Sequence, residues 1–228
     1  MSEEGSKLWY FENFNIMDAL SMEEKMEVSK MAGMSNSAKK DVVYFPDEAS
    51  NKIYFLKSGK VKISKYSEDG KEMILAILGA GELFGELSVI SQDKRGEMAE
   101  VMEDAIICSL RIEDLQMMIE KNSKFNFSIT KLIGLKLTKI QTRLESLVFK
   151  NTNERVKGFI KEMADEHGRK LITGTEIEVK LKLTHEDIAK LTATTRQSVT
   201  TILNQLEKEG IILYDRKRIL VKKYDALN

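Results

Sequence analysis

Two stretches of this 228-residue sequence carry residue types at spacings suited to chemistry. The first runs from Leu183 to Leu203 and has the helix-turn-helix pattern. Thr184 can cap a first helix whose positive end is favoured by Glu186 or Asp187. Ala189 is small where two helices would cross, Ala193 sits in the turn, Thr195 can cap a second helix, and Val199 and Ile202 face inward. The open face of that second helix then shows Arg196, Gln197, Thr200 and Thr201, with Thr195 and Ser198 at its start. Guanidinium, amide and hydroxyl groups so placed reach base edges or phosphates in a major groove. Downstream, Ile211–Leu213 and Ile219–Val221 flank a hairpin with a basic tip, Arg216, Lys217 and Arg218, which reads as a wing. A charged helical hairpin or a protein-binding winged helix would share the apolar frame; the polar face and basic wing favour double-stranded DNA.

The second stretch is Gly79-Ala80-Gly81-Glu82-Leu83-Phe84-Gly85-Glu86-Leu87, the densest glycine cluster in the chain. Glycines at this density permit close backbone approach to a ligand, or simply turn one strand into the next. Both readings stand on spacing alone.

Composition narrows the chemistry further. The chain balances 36 Lys/Arg against 36 Asp/Glu, yet residues 1–121 are net −8 and residues 122–228 net +8, a split that suggests two jobs on one chain. The single cysteine, Cys108, excludes an intramolecular disulfide, a four-cysteine zinc site and an all-cysteine iron–sulfur cluster; on the apolar run Ile106–Cys108 it reads as a small buried hydrophobe. Both histidines, His167 and His185, lie in the C-terminal half, so the strand-rich first half has no metal-binding histidine and no Cys-His or Ser-His-Asp arrangement. No enzyme and no metal site are expected. Met1 to Lys7 carry acids where a secretory leader would be basic, and Met73–Gly81 is about half the length a membrane helix needs. A cytoplasmic protein with no membrane partner is expected.

The elements that must position these residues follow from hydrophobic period. Residues 8–34 read as short amphipathic helices with Asn15 or Asp18 as caps. Short strands are expected at Val42–Phe45, Ile53–Leu56, around Val61 and Ile63, at Met73–Leu78, Ala99–Met102 and Ile106–Leu110, with turns at Pro46-Asp47, Lys57–Gly59 and Ser67–Gly70; this spacing predicts an antiparallel sandwich, roll or barrel. From about Ser123 to Phe149 the pattern is helical, with Ile133, Leu137, Ile140, Leu144 and Leu147 at alternating spacings of four and three. Such a seam suits a parallel two-helix homodimer, although a helix packed within one domain can show it over a short length. Asn151–Glu154 provides a cap-like break, His167-Gly168 ends the next helix, and Ile177, Val179 and Leu181 read as an edge strand.

Taken in order, helices, roll with a Gly-Glu-Leu cassette, long helix and winged helix-turn-helix, the chain resembles the Crp/Fnr family of bacterial transcription regulators across nearly its full length. The tracts that carry the resemblance are IYFLKSG at 53–59, EDGKEMIL at 68–75, GELFGEL at 81–87 and Leu183–Leu206. It implies an α+β fold: an N-terminal double-stranded β-helix of the cyclic-nucleotide-binding type (1–121), a dimerisation helix (122–150) and a C-terminal winged-helix DNA-binding domain (151–228). It also implies a homodimer on a palindromic promoter site, with RNA polymerase as a further partner. A regulatory module of the same roll type that acts by protein contact is the rival reading; it needs no helix-turn-helix.

In cyclic-AMP-binding members the Glu of Gly-Glu-Leu holds the ribose hydroxyl and an Arg ten residues later holds the phosphate. Here that count from Glu86 reaches Gly96 and Glu97, while Arg95 takes the role if the intervening loop is one residue shorter. The long helix offers Ile140 and Gln141 where those members offer Thr-Ser to the adenine. The candidate effector residues are therefore Gly85, Glu86, Leu87 and Arg95, the effector is unidentified, and cyclic AMP is not expected.

Overall fold

The computed structural model describes residues 15–49, 51–86, 94–171, 176–180, 182–215 and 218–227. The chain has the expected α+β order: helices, a β-roll, a long helix and a C-terminal winged helix-turn-helix. Its contacts divide residues 1–138 from residues 139–228.

In the first unit, β1 (Gly33–Ser37) and β2 (Val42–Tyr44) both pair with β6 (Met98–Arg111). The other side of β6 pairs antiparallel with β3 (Lys52–Tyr66), which also holds β4 (Glu72–Leu78) and β5 (Leu83–Phe84). The β3–β6 ladder runs from Lys52 opposite Arg111 to Ser64 opposite Met98. Sequence spacing suggested four short strands here. The structure has two long ones, because Lys57–Gly59 forms a bulge and not a turn: the register shifts between Leu56 and Ser58, Ser58 and Lys60, and Lys60 and Val61. That irregularity redirects side chains. Before it, Ile53 and Phe55 face one core with Cys108, Leu110, Met17, Leu20, Leu115 and Phe125. After it, Val61 and Ile63, still odd-numbered, join Leu56 in a second core with Tyr44, Leu78, Phe84, Val101 and Ile107.

Three helices close the first core. A short 3-10 helix spans Asn15–Ala19, and α1 (Met22–Met31) follows it, capped by Ser21 in a full capping box: the Ser21 hydroxyl accepts from the Glu24 N–H and its own N–H donates to the Glu24 carboxylate. Glu24 also accepts from Asn122 Nδ2 at 3.0 Å, and the Asn122 side-chain oxygen in turn accepts from the Phe125 N–H. These bonds, the Ser21 backbone first, hold Glu24 below the usual carboxylate range. One asparagine thus joins α1 to the junction between α2 (Ile112–Lys121) and the 27-residue α3 (Ser123–Phe149).

In the second unit, α4 (Thr152–His167) begins at the expected Asn151–Glu154 break, which is a complete capping box. Its four-stranded sheet has the order β7 (Gly168–Lys170), β8 (Ile177–Val179), β10 (Arg218–Val221), β9 (Ile212–Asp215). β8 is therefore internal, not an edge: the chain leaves α4 in extended conformation and immediately forms an outer strand, Gly-Arg-Lys, whose composition gives no alternating signal.

The bulge generates a test. Gly59 has φ +87°, and an added Cβ would lie 2.4 Å from the Asp104 carbonyl and 2.6 Å from Ala105 Cα, whereas Gly70, φ +79°, faces open space. Left-handed strain of about 1–2 kcal/mol applies to both, and overpacking of about 1–3 kcal/mol applies to the first alone. Gly59→Ala should therefore lose about 2–5 kcal/mol in denaturant unfolding and clearly exceed Gly70→Ala; equal losses would show that the bulge is not tightly packed.

Candidate functional site

The C-terminal site is built on α5 (His185–Thr192) and α6 (Arg196–Lys208). Thr184 caps α5 through a box with Asp187, and Ala193 ends it in the left-handed conformation with φ 49°. Thr195 then caps α6, its hydroxyl accepting from the Ser198 N–H at 3.1 Å. Ile188, Ala189, Val199, Ile202, Leu203 and Leu206 are buried between and beneath the two helices. The turn carbonyls are held by arginines. Arg155 donates to Thr192 and Ala193 carbonyls and to Lys150, while Arg143 of α3 donates to the Leu191 carbonyl at 2.7 Å. Neither arginine carried a sequence signal; their partners lie 37 and 48 residues away.

On α6, Arg196, Gln197 and Thr201 are exposed, with Thr195 and Ser198 at its first turn. Thr200 departs from the expected open face. It is half-buried, its hydroxyl donates to the Arg196 carbonyl, and it shares a hydrogen bond of 2.7 Å with His185 Nδ1. Asn204, one to two turns beyond Gln197 and Thr201, is exposed and extends the same face; the helical repeat alone points to it. The wing is the β9–β10 hairpin. Arg216 and Lys217 lie outside the described residues. Arg218 is not a free cation at its tip: the guanidinium binds Glu178 at 2.8 Å and Asp215 at 3.2 Å, which also holds Glu178 below its ordinary value.

His185 links these parts. Its ring lies 5.1 Å from the Tyr214 ring of β9, whose hydroxyl donates to the Leu183 carbonyl. Burial, then the Arg196 charge, push His185 below its ordinary pKa of 6.5, with Glu207 opposing.

The N-terminal site gathers Gly85, Glu86 and Arg95; Leu87 lies outside the described residues. Arg95 is 3% exposed, so it is Arg95 that enters the roll, while Gly96 is exposed and Glu97 is engaged by the Tyr44 hydroxyl at 3.3 Å. The Arg95 guanidinium lies 3.9 Å over the Tyr44 ring, Nη2 donates to the Lys52 carbonyl at 2.6 Å, and Nη1 has no hydrogen-bond partner among the described residues. Tyr44, Tyr54 and Phe84 stack around it. Gly85, φ +77°, is required here because an added Cβ would lie 2.7 Å from Arg95 Nη1. Glu86 is 7% exposed and meets Lys136 of α3 at 2.7 Å. Burial together with the Glu97 charge pushes the Tyr44 hydroxyl far above its ordinary range.

Along α3, Leu137, Ile140, Leu144 and Leu147 are exposed, while Ile133 packs partly against the first core. Among the described residues no cluster of three His, Cys, Asp or Glu side chains gathers to hold a metal ion, and no helix is long and apolar enough to cross a membrane.

Comparison with known proteins gives two family matches, a cyclic nucleotide-binding domain over residues 35–122 and a Crp-like helix-turn-helix domain over residues 154–228. The chain is 25% identical to an anaerobic regulatory protein of Bacillus subtilis over 94% of this chain and 85% of that protein. It is 26% identical to a CRP-like cAMP-activated global transcriptional regulator of Mycobacterium tuberculosis, over 81% and 82% of the two chains. Among solved structures, a mutant of CooA from Carboxydothermus hydrogenoformans superposes with TM-score 0.73 at 30% identity, covering 87% of each chain.

The depressed His185 has a pH signature. The folded chain binds this proton less readily than the unfolded chain, so the stabilisation is complete above about pH 6.5 and declines as pH falls through the lowered folded value. Melting temperature should drop across that window, and His185→Gln should flatten the drop. An identical pH profile for the two proteins would remove His185 from the account.

Proposed function

Because the chain belongs to the Crp/Fnr family of transcription regulators and carries its Crp-like helix-turn-helix domain, we propose that it acts in the cytoplasm as a homodimer reading a palindromic promoter site, in contact with RNA polymerase. It is a regulator and not an enzyme. One observation carries the reading: Arg196, Gln197 and Thr201 stand exposed on one side of α6 while Val199, Ile202, Leu203 and Leu206 are buried on the other. A helix so divided presents its first turns to a major groove, with Thr195 and Ser198 close to the phosphates. The proposed division of labour is a roll of the effector type in residues 1–121, a dimerisation helix in 122–150 and the DNA-reading unit in 151–228. Arg216 and Lys217 serve as wing contacts to the backbone, and Arg218 braces the wing through its pairs with Glu178 and Asp215.

Leu137, Ile140, Leu144 and Leu147 support the dimer, since 43–64% of each remains exposed along one helix. Two such helices side by side would cover them and would place two reading helices on half-sites about one DNA turn apart. Gly85, Glu86 and Arg95 are the proposed effector residues, Ile133 steadies the start of the seam against the roll, and the effector is not cyclic AMP. Ile140 and Gln141 offer no hydroxyl pair for an adenine, and Glu86 already has a cationic partner.

Two measurements test this reading. Ile140→Lys, at a position 64% exposed in the single chain, should leave the fold intact by circular dichroism and give monomer mass in light scattering; a dimer of unchanged mass removes the seam. In selection from randomised DNA, Gln197→Glu should change one base pair per half-site by about 1–3 kcal/mol, since an amide suits adenine and a carboxylate accepts from cytosine. An unchanged selected motif would remove Gln197 from base reading.

A further inference from the structure

We propose that Arg143 sets the spacing of the two half-sites that the dimer accepts, by fixing the reading helix to the stretch of α3 that carries the seam. The proposal rests on the dimer and the reading face proposed above and deepens that reading by naming a residue that joins them. Within the second unit, residues 139–149 of α3 expose Ile140, Leu144 and Leu147, and Lys139 and Arg143, four residues apart, lie along one flank of that stripe. The flank is engaged by the rest of the unit. Lys139 pairs with Glu166 of α4, while Arg143 is half-buried and its Nη2 donates to the Leu191 carbonyl at 2.7 Å. Burial lowers the pKa of that guanidinium, with Glu162 of α4 opposing. The Leu191 carbonyl lies in the last turn of α5, where helix geometry leaves backbone acceptors without intrahelical partners and a cation completes them. α6 begins at Arg196, five residues after Leu191, across a turn that contains left-handed Ala193 and whose Thr192 and Ala193 carbonyls are held by Arg155. The orientation of α6 is thereby keyed to the seam-bearing stretch of α3. Moving a half-site by one base pair shifts it by about 3.4 Å along the duplex and turns it by about 35° around it. A reading helix held against the seam cannot follow that displacement and loses contacts in one half-site; a reading helix released from the seam follows it.

The assignment predicts a change in spacing preference without a change in half-site affinity. Full-length protein and the variants Arg143→Met and Arg143→Lys are titrated by fluorescence anisotropy with the palindrome selected from randomised DNA, with the same palindrome whose half-sites are one base pair closer or further apart, and with a duplex carrying a single half-site. The unsubstituted protein should lose about tenfold or more in affinity when the spacing changes in either direction. Arg143→Met should reduce that penalty to about threefold or less while leaving dimer mass and single-half-site affinity unchanged. Arg143→Lys, whose ammonium can still donate to a carbonyl, should restore most of the penalty. The single half-site separates positioning from folding, since a variant that only destabilises the helix-turn-helix weakens every duplex alike. An undiminished spacing penalty in Arg143→Met overturns the proposal, as does an equal loss on the single half-site or an unsubstituted dimer indifferent to spacing. If Arg143→Met does not fold, Arg143→Gln is read in its place, and failure of both to fold overturns the proposal as well, because Arg143 is then a requirement of the fold. The underlying reading fails separately: an unsubstituted protein that is monomeric or binds no palindrome overturns the DNA-reading dimer, whereas a dimer whose spacing penalty survives in Arg143→Met overturns only the role of Arg143.

Discussion

The antiparallel ladder between β3 and β6 is the constraint on which the N-terminal unit depends. Both strands face two cores, and the change of register lets the odd-numbered side chains of β3 serve the first core before it and the second after it. Gly59 supplies it, since its φ of +87° and its contact with the Asp104 carbonyl leave no room for a side chain. Elements on one side of the shift pack with the helices, burying Phe55 and Phe125 completely. The aromatic wall of Tyr44, Tyr54 and Phe84, against which Arg95 lies, draws on both sides of the shift: Phe84 pairs opposite Tyr54 before it, and Tyr44 pairs with Ala99 beyond it. β5 pairs with Tyr54 and Phe55, so Gly85 and Glu86, just beyond it, take their place from the same ladder.

Local chemistry was legible in the sequence and distant chemistry was not. The caps at Asn151, Thr184 and Thr195 are recognisable because each bonds a residue three positions away. The bulge has the composition of a turn, Lys-Ser-Gly, and the register of a distant partner strand leaves no mark on it. β7 was missed for a related reason: a three-residue strand held by its neighbour's hydrogen bonds needs no apolar alternation of its own. At the candidate sites, Arg95 could be identified only on condition of a loop length. Lys136 lies 50 residues from Glu86 and among the polar flanks of an apolar seam, where a lysine's ordinary role is to stay solvated.

Polar side chains of α3 thus do two different things. Lys136, within the first unit, neutralises a buried carboxylate of the roll; Arg143, within the second, holds a carbonyl at the end of α5. Each is anchored to a turn whose backbone geometry is fixed by a left-handed residue, Gly85 in one and Ala193 in the other. Left-handed residues are costly for any side chain, and both turns are overdetermined by direct bonds to their backbone: Leu83 by Lys136, and Leu191, Thr192 and Ala193 by two arginines. Both candidate sites therefore rest on turns braced by long cationic side chains.

The apolar face of α3 is marginal by design of its composition. Burying a large aliphatic side chain is worth about 1.5–3 kcal/mol when it is fully transferred from water. Leu137, Ile140, Leu144 and Leu147 are each already about half-covered by their own helix, and a symmetric pair doubles the four to eight. Phe127, Leu135, Val148 and Phe149, also exposed on α3, extend that apolar surface. Lys136 lies on that helix beside Leu137. The group that neutralises Glu86 is thus adjacent in sequence to a residue of the proposed seam.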